Sequence, residues 1–573
     1  MPAQNSDVKD ILNKMADLLE IDGANPFRVR AYRNAARTVS NLPKNLTEMI
    51  EDNEDLTKLS GIGEDLAGKI TEIVETGTLS QLKKLQEDTP PELHELMKLE
   101  GLGPKRVRVL NRELGIETLD QLKDAAESGK VETLEGFGKK TQQNVLEALN
   151  QAEGWGDRIK LVEAEERAEP LTKYLKKTKG IKEITIAGSF RRRKETVGDL
   201  DILVTCKKGA RVMERFVAYE DVKKVISQGD TRSTIMLNSG LHVDLRVVPQ
   251  VSYGSALHYF TGSKNHNIAV RKIANGKGFK INEYGVFKGD DRVAGKNEKD
   301  VYAKVGMAYV EPELRENQGE VAAAQQDALP DLVNLKDIRG DLHSHTEATD
   351  GHNSLEEMAE AAKKRGYEYL AVTEHSKKVA MAKGLDAKDL ARQMEAIDHL
   401  NEKLKDIRLL KGIEVDILED GGLDLPDDIL KELDLRICSI HYNRNLSREK
   451  QTERIIRAMD NPYFNILAHP SGRLINEREP YAVDLQKVMQ AAKDRRCFLE
   501  LNAHPDRLDL SDHHCKMAKE MNLKVAISTD AHSVSNLNFM RFGIGQARRG
   551  WLEAADVLNT RTWKQLKKLL HRR

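Results

Sequence analysis

No stretch of this chain approaches the roughly 18 to 20 apolar residues of a membrane-spanning helix. Its first ten residues, MPAQNSDVKD, are polar and acidic rather than leader-like. Neither membrane insertion nor export or organellar targeting is expected, and the cytoplasm is the expected compartment. Cysteine is scarce: Cys206, Cys438, Cys497 and Cys515 are widely spaced and form no CxxC pair. That argues against a zinc ribbon and reads as four reduced, mostly strand-buried thiols. Aromatic residues are also few, at 5%, against 32% charged residues, the composition of a helix-rich chain. The net charge of −1 hides an asymmetry, with acids in excess over residues 1–150 and bases in excess over 151–320. The basic middle is the candidate for contact with phosphates. A length of 573 residues predicts about four domains at ~150 residues each.

What the chain does have is histidine in a repeating place. Of its 16 histidines, 12 follow residue 337. Seven apolar, mostly β-branched runs end there in metal-binding side chains: GDLHSH (His343, His345), AVTEH (His375), LKGIE (Glu414), ICSIH (His441), ILAH (His469), FLELNAH (Asn502, His504) and AISTDAH (Asp530, His532). The ends lie roughly 27 to 39 residues apart, the length of one strand–loop–helix unit. Strands that repeat in this way close into a barrel whose functional residues gather at the C-terminal mouth. Nine candidate ligands, His343, His345, Asp350, His375, Glu414, His441, His469, Asp530 and His532, are too many for one tetrahedral ion. Two or three ions would share them, with Glu414 a candidate bridge. A histidine-rich set suits Zn²⁺, Mn²⁺ or Fe²⁺ better than Mg²⁺, and clustered divalent ions point to phosphoester hydrolysis. The motifs HSH, TEH, GIE, AHP and TDAH resemble those of the PHP (polymerase and histidinol phosphatase) superfamily.

The acidic N-terminal region repeats a different shape. LSGIGEDLAGKI (59–70), LEGLGPKRVRVL (99–110) and LEGFGKKTQQNVL (134–146) each place Gly-hydrophobic-Gly before a helix. The pairs are Gly61 and Gly63, Gly101 and Gly103, Gly136 and Gly138. Such a turn aims backbone N–H groups and a helix N-terminus outward, where they bind a phosphate oxygen without basic side chains. Because only the backbone is seen, the binding is independent of base sequence. The segments resemble helix–hairpin–helix motifs. Upstream, NPFRVRAYRNAARTV brings Arg28 and Tyr32 near the first hairpin, and with Lys58 they form a candidate pocket for a DNA 5′-phosphate.

The most specific segment is ITIAGSFRRRKETVGDLDILVTC. A strand runs into Gly188 and Ser189, four basic residues follow, and a second strand carries Asp199 and Asp201 two apart, hence on one face. Asp244 lies in a third strand, LHVDLRVV. Acids side by side on a sheet repel unless cations neutralise them, which makes a ready site for two Mg²⁺ ions. Gly188 lets a phosphate approach the backbone, Ser189 donates to it, and Arg192 neutralises growing charge. This arrangement resembles the nucleotidyltransferases of DNA polymerase family X. The resemblance continues through YFTGSKNHNIAVR: it places Tyr259, Phe260 and Gly262 beside the nucleotide sugar and Asn267 and Arg271 at the nascent base pair and template minor groove.

Taken whole, the chain resembles a bacterial- or archaeal-type family X polymerase with a C-terminal PHP domain. The resemblance implies a multidomain α/β fold. Residues 1–90 would form a helical lyase-like domain and 91–150 a fingers-type domain with the second and third hairpins. Residues 151–252 would be a nucleotidyltransferase palm, 253–317 a thumb, 318–337 a linker leaving the catalytic halves partly independent, and 338–573 a (β/α)7-like PHP barrel. It also implies gap filling by template-directed nucleotidyl transfer, with Asp199, Asp201 and Asp244 catalytic. The barrel would hydrolyse phosphodiesters as a 3′→5′ exonuclease, a 3′-phosphatase or an abasic-site endonuclease. The implied cofactors are Mg²⁺ or Mn²⁺ in the palm, two or three Mn²⁺ or Zn²⁺ in the barrel, and a monovalent cation at the hairpins. The implied partners are gapped or nicked DNA and dNTPs, bound by a monomer. The alternative is a PHP phosphatase or nuclease attached to a DNA-binding region whose polymerase site is weak or inactive. Lys69 matches the family's Schiff-base lysine, but Asp65 and Thr57 stand where lyase-competent relatives carry further lysines. A structural Lys69 is the favoured reading.

Overall fold

The computed structural model describes residues 5–571 except 41, 43–45, 89–92, 98, 100–101, 135, 140, 144, 147–148, 150–157 and 207–208. Gly101 of the second hairpin therefore lies outside the described residues. The chain divides into two compact units, one of residues 1–157 with 476–478, the other of 158–475 and 479–573. Among the described residues no helix is long and apolar enough to cross a membrane.

The first unit is helical. Helices α1 (Asn5–Asp22) and α2 (Pro26–Ser40) pack together; Pro26 opens the second, where its missing N–H costs nothing, and Asn25 caps it by accepting from the Phe27 N–H at 2.9 Å. Helix α3 (Glu64–Thr76) follows the first hairpin, and α4 (Pro104–Leu114) follows the second. Leu12, Ile70 and Leu110 belong to one apolar cluster, so the two expected N-terminal domains share a core.

The second unit begins with a five-stranded sheet. Strands β1 (Ile181–Ile186), β2 (Asp199–Cys206), β3 (Val222–Gln228), β4 (Arg232–Leu237) and β5 (His242–Val248) lie in the order β1-β2-β5-β4-β3, with β2 and β5 parallel. The alternation of β2 and β5 decides the faces. Leu200, Ile202, Val204, Val243 and Leu245 point into a core with Leu171 and Phe216 from the flanking helices, which leaves Asp199, Asp201 and Asp244 on the opposite face. The thumb region adds α5 (Tyr253–Thr261), α6 (Lys264–Gly276) and a small three-stranded sheet.

Seven parallel strands then follow in sequence order: β6 (Gly340–Asp341), β7 (Tyr369–Val372), β8 (Arg408–Asp416), β9 (Leu435–Ser439), β10 (Ile466–Leu467), β11 (Phe498–Asn502) and β12 (Val525–Ser528). A parallel bridge between Ser344 and Ala531 nearly closes the barrel. Tyr369, Ala371, Leu410, Ile437 and Ile466 cluster together with Leu566 and Leu570 of the last helix. That helix packs at the strands' N-terminal end, beside Tyr369, and leaves the C-terminal mouth for chemistry.

The expectation of a loose linker at 318–337 is corrected. Residues 320–325 form a helix in which Glu320 is fully buried and accepts from the Asn317 and Gln318 N–H groups, with His266 Nδ1 2.6 Å away. Ala324 and Leu332 join the thumb core, and Leu332 bridges to Glu553. The Ala/Gln-rich composition concealed apolar residues spaced to cover two surfaces. The palm core itself continues into the barrel region through Ile475, Leu508 and Phe542, and Arg473 pairs with Glu195 at 2.6 Å. Palm, thumb and barrel are one packed body.

Candidate active sites in the palm and the barrel

Register brings the palm acids together. Asp201 and Asp244 are direct partners on parallel β2 and β5, and Asp199 stands two residues earlier on the same face. Gly188, with φ of +61°, opens the turn after β1; a Cβ there would meet Asp201 Oδ2 at 2.6 Å. Only glycine permits both that φ and that approach. Burial first, then the charges of Asp199 and Asp244, push the Asp201 carboxyl up to about 7, the signature of acids assembled for cations. Arg232 lies 3.2 Å from Asp244, and Thr234 donates to the same carboxylate. Gly188, Ser189, Arg192, Asp199, Asp201, Tyr259, Phe260, Gly262, Asn267 and Arg271 line one cleft of about 390 Å³. Asn267 Nδ2 donates to the Tyr259 carbonyl at 2.8 Å, so the base of α6 is tied to the end of α5. The residues picked from scattered motifs thus share one wall-to-wall space.

In the barrel, Glu414 at the mouth of β8 is the hub. His469 Nε2 lies 3.0 Å from it, His343 and His441 Nε2 3.5 Å, His345 Nε2 3.7 Å, and His375 Nδ1 2.8 Å. Asp530 lies 3.3 Å from His345, and Asp350 lies 3.4 Å from His375 and 3.5 Å from His532. Among the described residues three groupings could each hold an ion: His345, Asp350, His375 and His532; His343, His345 and Asp530; His375, Glu414 and His441. The donors fit metal. His343 Nε2, both ring nitrogens of His345 and Glu414 Oε2 are buried without a hydrogen-bond partner, a costly state unless a cation takes their lone pairs. Burial, then the neighbouring charges of His532 and His375, lower His345 to about 3, which keeps it in the neutral, ligating form. Burial opposes the charged form of Glu414, yet His375, His441 and His343 outweigh it and hold the carboxylate well below its usual range. His469 and Asp530 adopt φ of +27° and +54°, unfavourable for non-glycine residues by roughly 1–3 kcal/mol each and typical of functional sites.

Five family descriptions match the chain: a helix-hairpin-helix domain at residues 3–79, a SAM-like helix-hairpin-helix tandem at 93–151, a DNA polymerase beta palm at 158–244, a DNA polymerase beta thumb at 256–316 and a PHP domain at 341–504. The DNA polymerase/3′-5′ exonuclease PolX of Bacillus subtilis is 39% identical over 570 residues, covering 99% of both chains. The chain belongs to the PHP-bearing family X DNA polymerases. A probable phosphatase of Thermoanaerobacter sp. is 33% identical over 232 residues, 38% of this chain and 89% of that protein. Membership of the family X polymerases implies DNA binding and the use of divalent metal, consistent with the clustered ligands.

As a family X polymerase the chain also carries residues that sequence reasoning missed. Glu500 Oε1 lies 2.7 Å from His343 Nδ1 and Asp416 Oδ2 lies 3.0 Å from His441 Nδ1, the carboxylate–histidine pairing that orients metal-ligating imidazoles. Each sits two positions from a recognised run end, which was the available signal. Conversely, Asn502 and His504 end a run but lie outside the three groupings; Asn502 donates to Asp530 at 3.0 Å, and His504 accepts from the Asp506 N–H and packs on Phe539. In the hairpins, Gly61 and Gly136 have φ of +75° and +81°, and Gly63 and Gly103 cap the helices that follow. Arg28 and Lys58 are exposed. Tyr32 is not: it is 2% exposed and donates to Gln81 at 2.9 Å. Lys69 is paired with Asp65 and lies over the Tyr32 ring; burial alone would lower its pKa, but Asp65 and Tyr32 outweigh burial and raise it.

Proposed function

We propose that this protein is a DNA polymerase that fills short gaps by template-directed addition of deoxynucleotides, and that its barrel is a 3′→5′ exonuclease. The observation that carries the reading is the co-location of Asp199, Asp201 and Asp244 with a cleft lined by Gly188, Ser189, Arg192, Tyr259, Phe260, Gly262, Asn267 and Arg271. A small phosphate ester has no use for Asn267 and Arg271 or for the N-terminal hairpins.

Asp199 and Asp201 would hold two Mg²⁺ or Mn²⁺ ions, with Asp244 beside the primer 3′-hydroxyl, and Glu414 with the surrounding histidines and Asp350 and Asp530 would hold two or three Mn²⁺ or Zn²⁺. Such ions, when bound, neutralise phosphate charge and lower the pKa of the attacking hydroxyl or water. The chain's own residues do the rest. Gly188 admits the phosphates to the backbone, Ser189 donates to them, and Arg192 offsets the charge that gathers on them. Tyr259 and Phe260 lie along the sugar, while Asn267 and Arg271 read the minor-groove side of the pair. In the barrel, Glu500 and Asp416 hold His343 and His441 in one tautomer and orientation. The hairpin N–H groups grip the DNA backbone, aided by a monovalent cation, and Arg28 and Lys58 take the 5′-phosphate without Tyr32. Lys69 is structural: an ammonium held by Asp65 is a poor nucleophile, and borohydride should trap no adduct on an abasic sugar. The protein acts as a cytoplasmic monomer.

The test is a labelled gapped duplex incubated with Mg²⁺ or Mn²⁺, with and without dNTPs. Lengthening with dNTPs and stepwise 3′ shortening without them is the expected pair of results. Loss of only a terminal 3′-phosphate would favour a phosphatase barrel. No lengthening would leave a nuclease or phosphatase with a DNA-binding region.

A further inference from the structure

The helix that follows β12, α7 (Met540–Arg549), is built against the phosphate-binding turn of the palm. Phe542 enters the palm core. Gly545 stands where an added Cβ would lie 3.3 Å from Arg193 Cβ, so the helix packs directly on the basic run. At its end Arg549, with a side chain only 5% exposed, makes three contacts. Its Nη1 donates to Glu316 Oε1 at 3.0 Å and to the backbone carbonyl of Arg192 at 3.0 Å, and its Nη2 donates to Asp512 Oδ2 at 2.6 Å. The same Glu316 oxygen accepts from Arg192 Nε at 3.0 Å. Arg192 Nη1 donates to the Thr261 carbonyl at the end of α5, and Arg192 lines the cleft with Asp199 and Asp201.

We infer that Arg549, a barrel residue, is a positioning residue for nucleotide addition: it shares Glu316 with Arg192, so that Glu316 holds the Arg192 guanidinium in place without taking up its whole charge, which is then presented to an incoming triphosphate. The inference rests on the reading of the palm cleft as the nucleotide site. One carboxylate between two guanidiniums is only partly claimed by each. Without Arg549, Glu316 has Arg192 as its close cation and draws it from the cleft, while the Arg192 backbone loses its donor. The barrel therefore supplies part of the polymerase site even though its own metal ligands lie elsewhere.

The experiment measures dNTP KM and kcat for gap filling by the full chain, with hydrolysis of a single-stranded 3′ end as a second readout. Arg549→Met should raise dNTP KM about tenfold, the loss of one charged hydrogen bond, with kcat within about twofold and hydrolysis unchanged. Arg549→Lys should recover part of the loss. Glu316→Gln with Arg549→Met should cost less than the sum of the two single changes, because the carboxylate they share is lost in both and only the donor to the Arg192 carbonyl separates them. If Arg549→Met fails to fold, Arg549→Gln keeps a polar side chain at the end of the helix but removes the charge from Glu316, and should raise KM in the same direction. An unchanged KM, equal losses of filling and hydrolysis, or additive effects in the double variant would overturn the inference. Arg192→Ala separates it from the underlying reading: if that variant keeps the normal dNTP KM, the cleft is not the nucleotide site.

Discussion

The palm and the barrel both gather carboxylates at the ends of parallel strands, but they solve the problem of repulsion differently. In the palm, three acids share one open sheet face, and Arg232 and Arg246 lie 3.2 and 3.9 Å from Asp244. Asp201 is left with a carboxyl pushed up to about 7. In the barrel, Glu414 is 1% exposed and touches five imidazoles. On the proposed function the palm is completed by charge that arrives with a substrate, whereas the barrel carries its own nitrogen donors. An oxygen-only, open site suits ions that exchange with each nucleotide. A buried nitrogen-rich site suits ions that stay.

The largest way to sharpen that contrast is His343→Ala. It removes a fully buried donor facing both Glu414 and Asp530, and hydrolysis should fall on the order of a hundredfold or more. Metal retained after gel filtration, measured by elemental analysis, should fall with it. Glu500→Gln removes only the orienting partner of His343 and should cost roughly 10–100-fold in metal affinity or activity, read by titrating Mn²⁺ into chelated enzyme. If Glu500→Gln matches wild type, the barrel geometry does not depend on that pairing.

Metal-free stability probes the palm side. Burial and the charges of Asp199 and Asp244 raise the folded pKa of Asp201 from 3.8 to about 7. Between those values the folded protein keeps a proton that the unfolded chain has released, so stability falls as pH rises through this window. Asp201→Asn should therefore raise the melting temperature of chelated protein by roughly a few degrees at pH 8, and the gain should shrink toward pH 4. A variant no more stable than wild type at pH 8 would show that the three acids are not in conflict. The smallest effect belongs to the helical unit: Arg28→Ala and Lys58→Ala should each flatten the log–log salt dependence of binding to gapped DNA by about one unit. An unchanged slope would remove them from the interface.

The placement of most candidate ligands was legible because they end apolar runs or alternate along one strand. Asp199, Asp201 and Asp244 needed only strand alternation, and Glu414 only its place after LKGI. What stayed hidden depends on distant partners. Glu500 reads as one acid in a buried strand until His343, 157 residues away, is folded against it. Glu320 made 318–337 look polar, although its carboxylate is fully buried beside His266. Tyr32, amid arginines, read as part of a 5′-phosphate pocket with Arg28 and Lys58, yet its ring packs in the helical core. The link from Arg192 to Arg549 spans elements that no periodicity connects.

The central claim is that two separate metal-dependent sites work from one packed body. The most direct test gives a labelled gapped duplex, with and without dNTPs, to Asp199→Ala/Asp201→Ala and to His532→Ala protein side by side. The palm variant should shorten the 3′ end at a rate within about twofold of wild type while losing extension on the order of a thousandfold, and the barrel variant should extend normally without shortening. A palm variant that still extends the primer, or either variant losing both activities while remaining folded, would contradict it.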